Sequence, residues 1–185
     1  MELLERADAL AELTGALAAT GHRGRVVLVT GEAGIGKSAL INRFRQLGPA
    51  DAAFLSGACD PLLTPRALGP LHDMARELSD PLPALLASGP REAVFSALVD
   101  QLARPSQPRV MVVEDAHWAD EATLDLLVFL GRRLERMPVL LVVTYRDDEV
   151  GVDHPLRAVV GRLPADAVGR LPLEPLSEAA VAELA

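Results

Sequence analysis

Gly31, Glu32, Ala33, Gly34, Ile35, Gly36, Lys37 and Ser38 satisfy every fixed position of the phosphate-binding pattern G-x-x-x-x-G-K-[ST]. No other stretch restricts the fold of this chain as strongly. Val26, Val27, Leu28 and Val29 before it read as a buried strand, and the segment from Ala39 to Arg45 after it reads as a helix. Strand, glycine loop and helix in that order form a cradle for phosphate. Glycines let the backbone turn tightly, successive N–H groups then converge on an anion, and the helix start adds unpaired N–H groups and the positive end of its dipole. The expected ligand is a nucleoside triphosphate with Mg²⁺, with Lys37 reaching the β- and γ-phosphates and the Ser38 hydroxyl on the metal. A glycine-rich turn that binds nothing is the alternative.

The rest of the chain alternates strands with helices, the pattern of a mostly parallel sheet covered on both faces. Further strands are expected over 52–57, 110–113 and 139–143, with an edge strand over 170–173 that tolerates Pro172. Helices are expected from the leucines and alanines of 3–17, over 71–78, 91–103 and 123–137, and from His154 to Leu163. Ser177 reads as the N-cap of a final helix, Pro105 and Pro108 bracket a turn, and His22 reads as a solvated loop residue. Right-handed crossovers bring all parallel strand ends to one edge, so the glycine loop, Glu114-Asp115 and Arg146 should converge there.

Composition narrows the classes. The 185 residues suffice for one domain with a real core, and half of them are hydrophobic while few are aromatic, so that core is aliphatic. The formal net charge of −8 argues against a nonspecific nucleic-acid surface on this segment. Cys59 is the single cysteine, which leaves no internal disulfide and no cysteine-rich zinc site; it reads as a small buried hydrophobe. Neither a signal peptide nor an apolar run of membrane-spanning length is apparent, and the default compartment is cytoplasmic.

The apolar run 110–113 ends at Glu114 and Asp115, as a strand presenting carboxylates to a nucleotide-bound metal does. Mg²⁺ keeps several waters, so one or two carboxylates suffice. Glu114 is assigned to the Mg²⁺ shell and Asp115 to polarising the attacking water; a solvated strand end is the alternative. The usual order of this acidic pair is Asp then Glu; the reversal predicts slow hydrolysis. His117 either senses the γ-phosphate or braces Asp115, or else caps the next helix or packs against Trp118. Asp120 reads as a helix N-cap. Arg146, in the run Thr144-Tyr145-Arg146, either stabilises transition-state charge or pairs with Asp147, Asp148 or Glu149. His72 and His154 read as surface residues.

Taken together, Gly31 to Ser38, the run Glu-Asp-Ala-His-Trp-Ala-Asp at 114–120 and Thr-Tyr-Arg-Asp-Asp-Glu at 144–149 resemble a bacterial AAA-type ATPase of the STAND class. This is the ATPase region at the N-terminus of large LuxR-type (LAL) transcriptional regulators; it is similar also to regions beside some adenylate cyclase and kinase domains. The resemblance implies an α/β P-loop NTPase of the ASCE/AAA type, a three-layer α/β/α fold with a mostly parallel five-stranded sheet in the order 5-1-4-3-2. It implies ATP or ADP with Mg²⁺ as ligands, contacts from Gly31 through Ala39, and an N-terminal arm with Arg6 near the adenine. Glu5 stands where the family usually has glycine.

The implied organisation is an N-terminal helical arm (1–24), the P-loop core (25–175) and the start of a helical lid (176–185). The expected partners are nucleotide and the further parts of a larger regulator: lid, winged helix, sensor repeats and a DNA-binding helix-turn-helix, all beyond this segment. No nucleic-acid or membrane contact by the segment itself is expected; a nucleotide-dependent oligomer stays open. These residues admit three functions: a slowly hydrolysing ATP switch, a nucleotide-binding module without turnover, and a small phosphotransferase, for which no acceptor pocket is legible.

Overall fold

A computed structural model describes residues 3–21, 23–103 and 108–184. The expectations for His22 and Pro105 lie outside the described residues. Five strands, β1 (Arg25–Thr30), β2 (Ala53–Ala58), β3 (Arg109–Glu114), β4 (Val139–Tyr145) and β5 (Val168–Pro172), form one sheet in the order β2-β3-β4-β1-β5. Every neighbouring pair is parallel. This is the order 5-1-4-3-2 that the resemblance implied, read from the opposite edge.

The helices are α1 (Ala7–Ala18), α2 (Lys37–Leu47), α3 (Gly69–Asp73), α4 (Leu82–Ser88), α5 (Arg91–Leu102), α6 (Glu121–Gly131), α7 (Pro155–Arg162) and α8 (Glu178–Leu184). They cover both faces, and the strand alternation sorts the core accordingly. Val27, Val29, Val110, Val112, Leu140 and Val142 face α1 and α2, where Leu13, Leu17, Leu40, Ile41 and Phe44 meet them. Val26, Leu28, Met111, Val113, Leu141 and Val143 face the layer built by α3 to α7. β4 lies between β3 and β1 and is buried at all its positions, which explains its unbroken apolar sequence.

Several boundaries differ from expectation: α1 begins at Ala7 rather than Leu3, β2 and β5 are shifted by one and two residues, and the helices expected over 71–78 and 123–137 differ more. The helix expected over 123–137 begins earlier because Asp120 caps it: its Oδ1 accepts from the Thr123 N–H at 3.1 Å. It ends at Gly131, where an added Cβ would come within 2.4 Å of Leu163 on the chain leaving α7, and a separate 3-10 turn follows over Leu134–Arg136. The helix expected over 71–78 is shorter and begins earlier, as α3 plus a 3-10 turn over Met74–Arg76. α4 carried no periodic signal in its seven residues; its fully buried Leu82 docks it on the core.

The N-terminal segment joins this core. Ala9, Leu13 and Leu17 of α1 pack with the sheet face that holds Val27 and Leu140. At the far end, the Ser177 hydroxyl accepts from the Ala180 N–H at 3.2 Å and so caps α8.

Candidate functional site

β1 runs into the glycine loop at its C-terminal end, and β3 and β4 end on the same side because all three are parallel. The backbone of the loop is the reason its glycines are needed. Gly34 and Gly36 hold φ of 74° and 101°, a region that side chains rarely adopt. Gly31, at φ 140°, packs where a Cβ would meet the Leu173 carbonyl oxygen at 2.9 Å. Gly36 is the N-cap of α2, so no side chain caps that helix and its first-turn N–H groups remain available to an anion.

Lys37 opens α2 and is buried, 7% exposed. Its Nζ donates to the carbonyl oxygens of Gly31 at 2.7 Å and Glu32 at 2.8 Å. Burial lowers its pKa, and the Asp115 charge opposes that shift. A desolvated ammonium held only by carbonyl dipoles is suited to meet an anion with full charge.

Ser38 Oγ donates to Glu114 Oε2 at 2.7 Å, joining the start of α2 to the end of β3. The Ser56 hydroxyl of β2 lies 3.5 Å from Glu114 Oε1. Ser56 carried no sequence signal: it reaches Glu114 only because β2 pairs with β3, where Ala58 opposes Glu114. One hydroxyl and one carboxylate are hard oxygen donors that fit Mg²⁺ completed by phosphate and water. Among the described residues no group of three or more His, Cys, Asp or Glu could hold a metal by itself.

Asp115 sits at φ 53°, in the left-handed region that Asp and Asn tolerate better than most residues. Its N–H donates to Thr144 Oγ1 at 3.0 Å, and Thr144 is buried in β4. The end of β3 is thereby locked to the neighbouring strand. Asp115 and Arg146 line one cleft of about 230 Å³ with Gly34, Gly36, Lys37, Ser38 and Ala39. The three strand ends therefore meet at one edge of the sheet.

Arg146 belongs to this cleft and is also engaged outside it. Its Nη1 donates to Glu149 Oε1 across the turn after β4, and its guanidinium lies 5.0 Å from the centre of the Trp118 ring. The pairing alternative for Arg146 is therefore realised with Glu149. His117 packs against Trp118, ring centres 4.4 Å apart, and is buried. Neither of its ring nitrogens has a hydrogen-bond partner; Glu149 Oε2 lies 3.6 Å from Nε2. Burial pushes the His117 pKa down, with Glu149 opposing.

His154 is not the plain surface residue expected. It is half-buried, its Nδ1 accepts from the Leu156 N–H at 3.2 Å and caps α7, and its Nε2 lies 3.1 Å from the His117 carbonyl oxygen. His72 is half-buried on α3, and burial lowers its pKa. Cys59 is buried, and burial pushes its thiol pKa to about 12. It stays protonated at neutral pH.

Arg6 is buried and donates to three backbone carbonyls: Ile35 at 3.1 Å, Glu174 at 2.9 Å and Glu5 at 3.0 Å. It thus ties the glycine loop to the segment leaving β5. Glu5 reinforces the tie by accepting from the Ser177 N–H at 2.8 Å and the Ser177 hydroxyl at 2.5 Å. Those two bonds lower the Glu5 pKa. Among the described residues no helix is long and apolar enough to cross a membrane.

The family model described as "AAA ATPase domain" matches residues 2–143. An uncharacterised protein of Rhizobium meliloti (strain 1021) is 27% identical over 198 residues, covering 78% of this chain and 19% of that protein. The fold is similar to that of Cdc6p from Pyrobaculum aerophilum, with a TM-score of 0.70, 20% identity and coverage of 99% of this chain and 48% of that one. It is similar also to a Signal Transduction ATPase with Numerous Domains (STAND) that carries a tetratricopeptide repeat sensor, from Pyrococcus horikoshii. There the TM-score is 0.57 at 18% identity, over 98% of this chain and 25% of that one. At such identities the two structures speak for the fold alone. The chain spans about a fifth of the curated relative and about half of Cdc6p.

Proposed function

The chain belongs to the AAA ATPase domain family, and on that premise we propose that it binds ATP with Mg²⁺ and hydrolyses it slowly, as the switch module of a larger bacterial signalling or transcriptional regulator. The observation that carries the reading is the direct contact between Ser38 Oγ and Glu114 Oε2 beside the buried Lys37 ammonium. Hydroxyl and carboxylate are the oxygen donors a metal-bound triphosphate needs, and Lys37 lines the same cleft as Ser38.

In this reading the N–H groups from Gly34 to Ala39 hold the phosphates, and Lys37 leaves its two loop carbonyls for the β- and γ-oxygens. Ser38 and Glu114 would hold Mg²⁺, which when bound would supply neutralisation of the phosphate charge. Asp115 accepts a proton from the attacking water, and its backbone bond to Thr144 holds the residue at the end of β3. Arg146 meets charge on the terminal phosphate. Arg6 braces the loop and borders the adenine side. Slow turnover follows from the acidic order: Asp115 is one methylene shorter than the glutamate usual at this place.

That order also favours a second reading, a nucleotide-binding module without turnover. The further partners would be a lid, a winged helix, sensor repeats and a helix-turn-helix of a LuxR-type regulator. Support for this context is the sequence resemblance at 114–120 and 144–149. Titration of the protein with ATP, ADP and GTP, with Mg²⁺ or with EDTA, tests the binding claim. Mg²⁺-dependent saturation by ATP is expected, and absence of any saturation rejects it. Single-turnover phosphate release from prebound ATP separates the two readings: slow release supports the switch, none over hours the binding module.

A further inference from the structure

In the sequence Glu149 is one of three acids able to neutralise Arg146, yet its position gives it more to do. Among the described residues it is the one of Asp147, Asp148 and Glu149 that bonds Arg146. Its two oxygens divide: Oε1 takes the guanidinium, and Oε2 lies 3.6 Å from Nε2 of His117. His117 is buried with no hydrogen bond at either ring nitrogen, so its donor capacity stands open on the side of Glu149. Trp118 lies under both, 5.0 Å from the guanidinium and 4.4 Å from the imidazole.

The geometry points to Glu149 as an anionic latch: it holds the Arg146 guanidinium on Trp118 at the edge of the cleft and so lowers the preference of the cleft for nucleoside triphosphate over diphosphate. It is a positioning residue that acts through Arg146, and it rests on the reading of Arg146 as a γ-phosphate ligand. Two cations, Lys37 and Arg146, face one cleft and repel each other. Without nucleotide, Glu149 neutralises the second. A γ-phosphate on Lys37 competes for the same guanidinium, and Arg146 leaves Glu149 for it. The vacated carboxylate keeps His117 as a neighbour. A diphosphate offers no charge at that distance, so the latch stays closed. Triphosphate binding therefore bears the cost of opening the latch, and diphosphate binding does not.

The pair is partly exposed, 27% and 37% at the side chains, so the latch is worth a modest factor. Kd for ATP and for ADP, both with Mg²⁺, are measured on the parent, Glu149→Gln and Glu149→Asp. Glu149→Gln is expected to tighten ATP binding roughly fivefold and leave ADP unchanged; Glu149→Asp returns the ratio toward the parent. The protein's one tryptophan gives an independent readout on the unaltered chain. ATP shifts Trp118 emission as the guanidinium leaves the ring, and ADP does not. An unchanged ATP-to-ADP ratio in Glu149→Gln overturns the latch, as does an equal emission change with both nucleotides. If Glu149→Gln does not fold, the emission comparison decides. A parent whose ATP binding is untouched by Lys37→Ala overturns the site reading and the latch with it, whereas a ratio that stays fixed in a Lys37-dependent site overturns the latch alone.

Discussion

Ser38 and Glu114 are hydrogen-bonded at 2.7 Å, so the first turn of α2 and the end of β3 already touch where a metal would bridge them. Removing either oxygen should weaken the dependence of nucleotide binding on Mg²⁺ rather than nucleotide binding as a whole. Ser38→Ala and Glu114→Gln are each expected to lower ATP affinity with Mg²⁺ by roughly tenfold, with little effect in EDTA. Equal losses with and without metal would remove both residues from the metal shell.

Asp115→Asn keeps the left-handed backbone that position 115 requires, because Asn tolerates φ of 53° as Asp does. The fold and the Thr144 contact should survive while the proton acceptor is lost. Single-turnover hydrolysis is expected to fall by roughly a hundredfold or more, with Kd for ATP within a few-fold of the parent. Unchanged turnover would exclude Asp115 from the chemistry.

His117 links burial to pH. Its folded pKa lies below the ordinary value of 6.5 because burial disfavours the imidazolium, with Glu149 opposing. The unfolded chain therefore binds more protons between the folded pKa and 6.5, and stability falls as pH falls through that window. His72 is shifted the same way, also by burial. Urea midpoints are expected to drop as pH falls below the ordinary histidine value of 6.5 toward the lowered folded values, and His117→Gln should flatten part of the drop, leaving the share of His72. A slope identical to the parent would show that His117 does not report on folding.

Leu140 lies on β4, the strand between β3 and β1, fully buried against the α1 and α2 layer. Leu140→Ala should cost about 2–5 kcal/mol by urea denaturation, since β4 is held by strands on both sides and cannot close the void. A loss below about 1 kcal/mol would mean that the sheet collapses into it.

The parts of the fold written in contiguous residues were readable before any coordinates. Val26 to Val29, 110–113 and 139–143 are unbroken apolar runs because their strands are covered on both faces, and the glycine loop announces its own φ angles. The strand order came from the resemblance, not from periodicity. What stayed hidden depends on contacts between distant segments. Ser56 reaches Glu114 through strand register, Arg6 braces the loop through Ile35 and Glu174, and His154 meets the His117 carbonyl from the start of α7. For Arg146 the sequence offered phosphate or a neighbouring acid. Arg146 lines the cleft and bonds Glu149 with the same guanidinium, and no local pattern encodes that.

Equilibrium titration with ATP and Mg²⁺, comparing the parent with Lys37→Ala, puts the nucleotide site to its plainest trial. The parent should saturate, and Lys37→Ala should bind on the order of a hundredfold more weakly, because it loses a charge-assisted contact to phosphate from a partly desolvated ammonium. A Lys37→Ala protein that is folded and binds ATP as the parent does would contradict the assignment of the glycine loop as the phosphate cradle.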